Sequence, residues 1–294
     1  MSNLRWGIDL GGTKIEAVAL NGTTVLARHR IATEADRGYR HIIARIKVAL
    51  EEVERQSGEK ANRLGIGTPG TLDPQSRLMR GCNSTALNGQ NLLQDLQEAL
   101  RRDVKIANDA NCFALAEARM GAGRGYPVVF GVIMGTGVGG GIAVDGTAIS
   151  GLQGIAGEWG HNNLVPEGNP CYCGRRGCVE TVLSGPALER HYESLAKVSR
   201  KLPEIVGRHR DGSDEFATAT ISRLFQMFGL AIAPIVNTLD PDAIILGGGV
   251  GNIRELIVEG AQAAKPHIFN PNPQIRLLSP ELGDSAGVFG AAFL

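Results

Sequence analysis

Apolar and polar positions along the chain follow two periods. Residues 4–9, 14–20 and 23–33 read as apolar runs or alternations bounded by Gly11-Gly12 and Asn21-Gly22, a pattern that predicts three strands joined by tight turns. Arg40 to Glu54 instead carries Ile42, Ile43, Ile46, Ala49, Leu50 and Val53 at helical spacing. A short buried strand ending near Gly67, an amphipathic helix from Asn91 to Arg101 and a strand from Val104 to Ala107 follow. The last runs straight into NDANCFALAEARMGAG, a helix closed by its glycines. The first third therefore reads βββαβα before that final helix. After Val128 the strand pattern returns, passes through an irregular stretch rich in glycine, proline and cysteine, and becomes mostly helical. Asp214 to Leu239 predicts a long helix kinked at Pro234. Ala243 to Gly247 predicts a buried strand feeding a glycine turn and a helix from Asn252 to Lys265.

The return at Val128 is a duplication. WGIDLGGTKIEAVALNGTTV from Trp6 aligns without a gap on FGVIMGTGVGGGIAVDGTAI from Phe130, with five identical pairs. Two of those pairs, Gly11 with Gly135 and Gly22 with Gly146, fall in turns, where glycine has a backbone reason. Two copies are too few for a solenoid. The pattern implies an α/β fold of two lobes, each with one glycine hairpin facing a shared cleft. The boundary is expected near 108: a small lobe of residues 1–108, a large one of 109–283, and a C-terminal segment 284–294 crossing back to the first.

Composition narrows the partners. The 294 residues hold 43% apolar side chains, enough for two cores, and 30 basic against 30 acidic residues leave no net field to attract nucleic acid or an anionic membrane. MSNLRWGIDLGG lacks the layout of an export signal, and no apolar run is read as approaching the roughly 20 residues of a membrane span. A cytoplasmic location is the expectation. Forty glycines, clustered between apolar strands, point to turns and close backbone approach.

Three sets of residues carry candidate chemistry. Asp9, Gly11, Gly12, Thr13 and Lys14 lie between two predicted strands, where freed N–H groups, a hydroxyl and an ammonium suit phosphate oxygens and Asp9 suits Mg2+. A plain hairpin explains the same residues, and the Walker A pattern is absent. The paired turn at Gly135, Thr136 and Gly137 favours two hairpins gripping one polyphosphate. Gly247, Gly248 and Gly249 end a buried strand, either as a surface for a base or ribose or as a tight strand-to-helix connection. His161, Cys171, Cys173 and Cys178, within HNNLVPEGNPCYCGRRGC (161–178), supply one imidazole and three thiols, the donor set of a closed tetrahedral zinc site, which would be structural. Disulfides are the alternative, but three cysteines are odd in number. Cys82 and Cys112 read as small core residues. Finally, Asn108 and Asp109 open a helix directly after a strand, so Asp109 is either a cap or a carboxylate facing the cleft. Glu158 and Glu180 flank the cysteine loop and, with Asp109, would suit the hydroxyls of a sugar.

DLGGTK, NDANCFALAEA, MGTGVGGG, GEWGH followed by CYCGRRGC, and ILGGG occur in this order along essentially the whole chain, which resembles the ROK family of bacterial sugar kinases. The resemblance implies a duplicated actin-like, ribonuclease-H-like fold, ATP:hexose phosphotransfer with Mg2+, a structural zinc and a homodimer. It implies Asp109 as general base. Gly70, Asn83, Asn108, Glu158, His161 and Glu180 become sugar contacts, residues 9–14 and 135–137 phosphate motifs, and 247–249 the adenosine motif. NSTALNGQ (83–90), GEWGHN and PCYCG resemble the fructokinase or manno(fructo)kinase branch, phosphorylating fructose or mannose. Ala86 stands where that branch is expected to carry an aromatic residue, so an N-acetylhexosamine kinase or a glucokinase is the alternative. Outside this class stands a non-catalytic sugar-binding or regulatory protein. The family's repressors carry a DNA-binding module, for which a first strand at Leu4 and a neutral charge leave no expectation. An actin-like filament protein would have no use for the cysteine loop.

Overall fold

The computed structural model describes residues 3–294. Leu4–Leu10 (β1), Lys14–Asn21 (β2) and Thr24–Ala32 (β3) form an antiparallel meander. Tyr39–Ser57 (α1) follows and stops at Gly58, whose φ of 73° lets its N–H reach the Glu54 carbonyl. Arg63–Thr68 (β4) joins β1 in parallel. Thr71–Leu72 (β5) and Met79–Arg80 (β6) make a small hairpin absent from the sequence reading. Leu92–Leu100 (α2), capped by the Asn91 side chain, leads to Asp103–Asn108 (β7), parallel to β4, and then to Asp109–Met120 (α3).

The second half repeats the plan. Val128–Met134 (β8), Val138–Val144 (β9) and Thr147–Ala148 (β10) return as neighbouring strands. Four helices follow, Glu180–Leu183 (α4), Gly185–Ala196 (α5), Leu202–Arg210 (α6) and Glu215–Leu239 (α7). Ala243–Gly247 (β11) pairs in parallel with β8, and Gly248–Gly251 (α8), Glu255–Ala264 (α9), Leu277–Leu278 (β12) and Ala286–Ala292 (α10) complete the chain. The strand orders are β3-β2-β1-β4-β7 and β10-β9-β8-β11-β12. Each sheet thus runs third, second, first, fourth, fifth, the topological counterpart of the aligned sequence repeat.

Contacts divide the chain into two compact units, one of residues up to Gly125 with Gly141–Ala156 and Glu281–Leu294, the other of Tyr126–Gly140 with Gly157–Pro280. This differs from the expected break at 108. Helix α3 stays in the first unit because it packs on β4, β7 and α10. Its fully buried Glu117 accepts hydrogen bonds from the N–H groups of Ala122 (2.9 Å), Glu281 (3.2 Å) and Leu282 (3.1 Å), which ties residues 281–282 to it. Within the same unit α10 lies flat on the sheet. A Cβ on Gly65 would stand 1.7 Å from the Ala291 carbonyl oxygen, so only glycine in β4 admits the helix.

Helix α7 runs unbroken through Pro234, its N-terminus capped by Asp214. By length and composition alone it is apolar enough to cross a membrane, which corrects the reading that no run approaches that length. Half of its apolar window is buried within the chain, against α5, α6 and α9.

Candidate functional site

In the first unit, the parallel strands β1, β4 and β7 bring Asp9, Gly70 and Asn108-Asp109 to their carboxyl ends. The turn between β1 and β2 is held by the Gly11 N–H on the Lys14 carbonyl (2.9 Å) and by the Thr33 hydroxyl on the Gly11 carbonyl (2.8 Å). Gly12 and Thr13 at its tip are exposed. Asn108 is the N-cap of α3, its Oδ1 accepting the Asn111 N–H at 2.7 Å. The capping role therefore belongs to Asn108. Asp109, the first helical residue, is exposed, and its carboxylate accepts the Ala110 N–H at 2.8 Å. Asp9 and Asp109 repel one another: the Asp9 carboxyl is pushed up to about 6, by burial first, then by the charges of Asp109 and Glu16, against the pull of Lys14 and Arg30.

Gly70 is demanded by packing, since a Cβ there would lie 2.4 Å from Cys82 Sγ and 2.7 Å from the Arg80 carbonyl oxygen. The Asn83 N–H reaches the Pro69 carbonyl at 3.4 Å, which sets exposed Asn83 beside that turn. Ala86 lies in a short 3-10 turn, partly buried against the core of this unit.

In the second unit, Gly135 closes its turn by donating to the Gly137 carbonyl (2.9 Å), and the Gly135 carbonyl accepts the Gly185 N–H (2.8 Å). Glu180 accepts the Val138 N–H at 2.9 Å, which links the first residue of α4 to the glycine turn. Trp159 donates its indole N–H to the Gly139 carbonyl at 2.8 Å and fixes the Glu158–His161 segment on β9. Gly248 has φ of 81°, and a Cβ there would meet the Met134 carbonyl at 2.4 Å. Gly135 and Gly249 are different: neither has positive φ, and nothing lies within 4 Å of where a Cβ would be. The chain's own packing does not require glycine at these two positions.

The cysteine loop gathers its four residues. One donor atom from each of His161, Cys171, Cys173 and Cys178 lies within 4.8 Å of the others. The His161 Nδ1 to Cys171 Sγ and Cys173 Sγ to Cys178 Sγ separations are both 3.6 Å. A tetrahedral zinc with bonds of about 2.3 Å to sulfur and about 2.0 Å to nitrogen has edges of roughly 3.5–3.8 Å. Those two edges fit. Burial, the largest influence, acts to raise the Cys173 thiol, but hydrogen bonds with Arg175, Cys171 and Cys178 outweigh it and bring the pKa to about 6. On the far side of the ring, His161 Nε2 lies 2.9 Å from the Tyr172 hydroxyl.

The sequence reading missed Tyr172, although it stands between two of the cysteines. It also missed a cavity of about 200 Å³ lined by Thr136, Tyr172, Glu180, Ser184 and Arg190 among others. Cys82 and Cys112 are buried in the first unit, as expected of small core residues.

The ROK family model matches residues 5–294. The chain belongs to the ROK family. It is 35% identical to the N-acetylgalactosamine kinase AgaK of Shewanella sp. (strain ANA-3) over 98% of this chain and 96% of that one. It is equally 35% identical to the N-acetyl-D-glucosamine kinase of Aliivibrio fischeri, over 98% of both chains. Among solved structures, a ROK hexokinase from Thermus thermophilus superposes with a TM-score of 0.90 at 32% identity, covering 99% of this chain and 97% of the other. The duplicated α/β architecture is thus the actin-like ATPase fold, as expected, and the chain is a ROK sugar kinase. The two curated relatives act on N-acetylhexosamines, the alternative to the fructokinase branch.

Proposed function

We propose that this ROK kinase transfers the γ-phosphoryl group of ATP to a hydroxyl of an N-acetylhexosamine. The observation that carries the chemistry is Asp109, exposed at the start of α3 with the capping duty taken by Asn108 and with Asp9 near enough to feel its charge. Asp109 takes the proton of the attacking hydroxyl. The transition state of phosphoryl transfer is loose, so an ordinary carboxylate suffices and most of the acceleration comes from positioning and charge. The backbone at 9–14 and 135–137 and the Lys14 ammonium would take phosphate oxygens, and 247–249 the adenosine. The Asp9 carboxylate, raised by burial and then by the charges of Asp109 and Glu16, suits a Mg2+ ion, which would supply charge neutralisation to the phosphates. Sugar hydroxyls fall to Asn83, Asn108, Glu158, His161, Glu180 and the backbone at Gly70. Glu180 arrives already oriented by the Val138 N–H, which keeps the cost of ordering it out of substrate binding.

Substrate class rests on the relatives and on Ala86, which stands where the fructokinase branch is expected to carry an aromatic residue. Fructose or mannose is the second reading, favoured by NSTALNGQ, GEWGHN and PCYCG. A cytoplasmic homodimer belongs to the same proposal. ADP release from Mg-ATP, measured across N-acetylglucosamine, N-acetylgalactosamine, N-acetylmannosamine, glucose, fructose and mannose, is expected to give the highest kcat/KM on an N-acetylhexosamine. A preference for fructose would return the chain to the fructokinase branch. No turnover on any sugar would point to a non-catalytic sugar-binding protein.

The donor set His161, Cys171, Cys173 and Cys178 is assigned to zinc, in a closed shell whose purpose is to hold the His161 and Glu180 segments. Chelation is expected to raise sugar KM by about 10- to 100-fold, the usual reach of residues that orient a site, while the melting temperature falls only slightly. Equal loss of both would mean that the loop supports the whole second unit.

A further inference from the structure

Tyr172 is 77% exposed, yet its hydroxyl is engaged. It lies 2.9 Å from His161 Nε2, and the two rings meet edge to face with centroids 5.1 Å apart. His161 Nδ1 points at the cysteine cluster. A neutral imidazole that ligates a metal through Nδ1 must carry its hydrogen on Nε2, so Nε2–H donates and the phenol oxygen accepts. The phenol then has its own hydrogen to give. Accepting from His161 Nε2–H is also what a sugar hydroxyl would do in this place. Tyr172 lines the cavity that Glu180 lines as well.

We infer that Tyr172 is an affinity- and specificity-determining residue of the sugar site, its hydroxyl holding on His161 Nε2 the place that a sugar hydroxyl takes on binding. This rests on the sugar-kinase reading above. The tyrosine keeps the histidine oriented and satisfied while the site waits, and every sugar must displace it. A sugar without a hydroxyl at the matching position cannot recover the lost hydrogen bond, so the phenol acts as a filter as well as a plug.

The test is isothermal titration of the zinc-loaded, ATP-free protein with N-acetylglucosamine and, separately, fructose, comparing wild type with Tyr172→Phe and recording zinc content of both. The net worth of one such hydrogen bond predicts sugar binding about 3- to 10-fold tighter in Tyr172→Phe, with zinc content unchanged. The gain should be smaller in discrimination, the variant narrowing the ratio between the two sugars. Unchanged or weaker binding in the variant, or loss of zinc from it, would overturn the inference and leave the kinase reading standing. Wild type that binds neither sugar would remove both.

Discussion

Asp109→Asn is expected to lower kcat by about 1,000-fold, within the 10²- to 10⁴-fold range of a positioned general base, with sugar Kd changed by no more than a few-fold. Asparagine keeps the shape and the acceptor oxygen but cannot take a proton at neutral pH. The cap of α3 should survive. Asn108 provides the cap of α3, and Asp109 accepts the neighbouring Ala110 N–H. A melting temperature within about 2 °C of wild type, from a cap worth about 1 kcal/mol that is left in place, would separate the chemical effect from a structural one. The measurement is single-turnover ADP release at saturating sugar. A variant within tenfold of wild type would show that the proton goes elsewhere.

Asp9→Asn is expected to move activity and stability in opposite directions. In the ligand-free protein the Asp9 carboxyl titrates near 6 against an ordinary value of 3.8. The folded state therefore binds more protons than the unfolded state between these values, and wild-type stability falls as pH rises through that window. Below about pH 4 the two proteins should be alike. Above pH 6 the wild type carries the full penalty, about 3 kcal/mol by the linkage relation, and Asp9→Asn should be the more stable by that amount. Chemical denaturation at pH 4, 5, 6 and 7.5 without nucleotide reads the difference directly. Turnover should fall at least 100-fold, because the carboxylate that suits Mg2+ is gone and the charge of the phosphates must be met by Lys14 and backbone alone. A variant less stable than wild type at pH 7.5 would mean that attraction to Lys14 and Arg30 outweighs burial and the repulsion from Asp109.

Most of this site was legible as residue types at fixed offsets. The glycine turns, the cysteine spacing and the Asn108-Asp109 junction each require a local chain shape that only certain residues adopt, so they could be read in one dimension. Tyr172 could not. Nothing distinguishes a tyrosine between two cysteines until the loop has wrapped and its hydroxyl reaches the back of His161. The role of Glu180 changed for the same reason, since its bond to the Val138 N–H joins residues 42 positions apart. Short motifs point toward fructose, whereas the two curated relatives that match over the whole chain are N-acetylhexosamine kinases.

By itself the sequence determined the duplication, the strand–turn–strand frames and the donor set of the cysteine loop, because hydrophobic period and glycine placement act on neighbouring residues. Tertiary structure alone decided which unit owns α3 and the C-terminal helix. That ownership depends on Glu117 capturing the N–H groups of residues 281 and 282 and on a missing Cβ at Gly65, contacts between segments that no local pattern connects. It also decided that Asn108 caps while Asp109 stands exposed, since the two neighbours compete for one helix end and only the geometry of the strand that delivers them settles which side chain turns back.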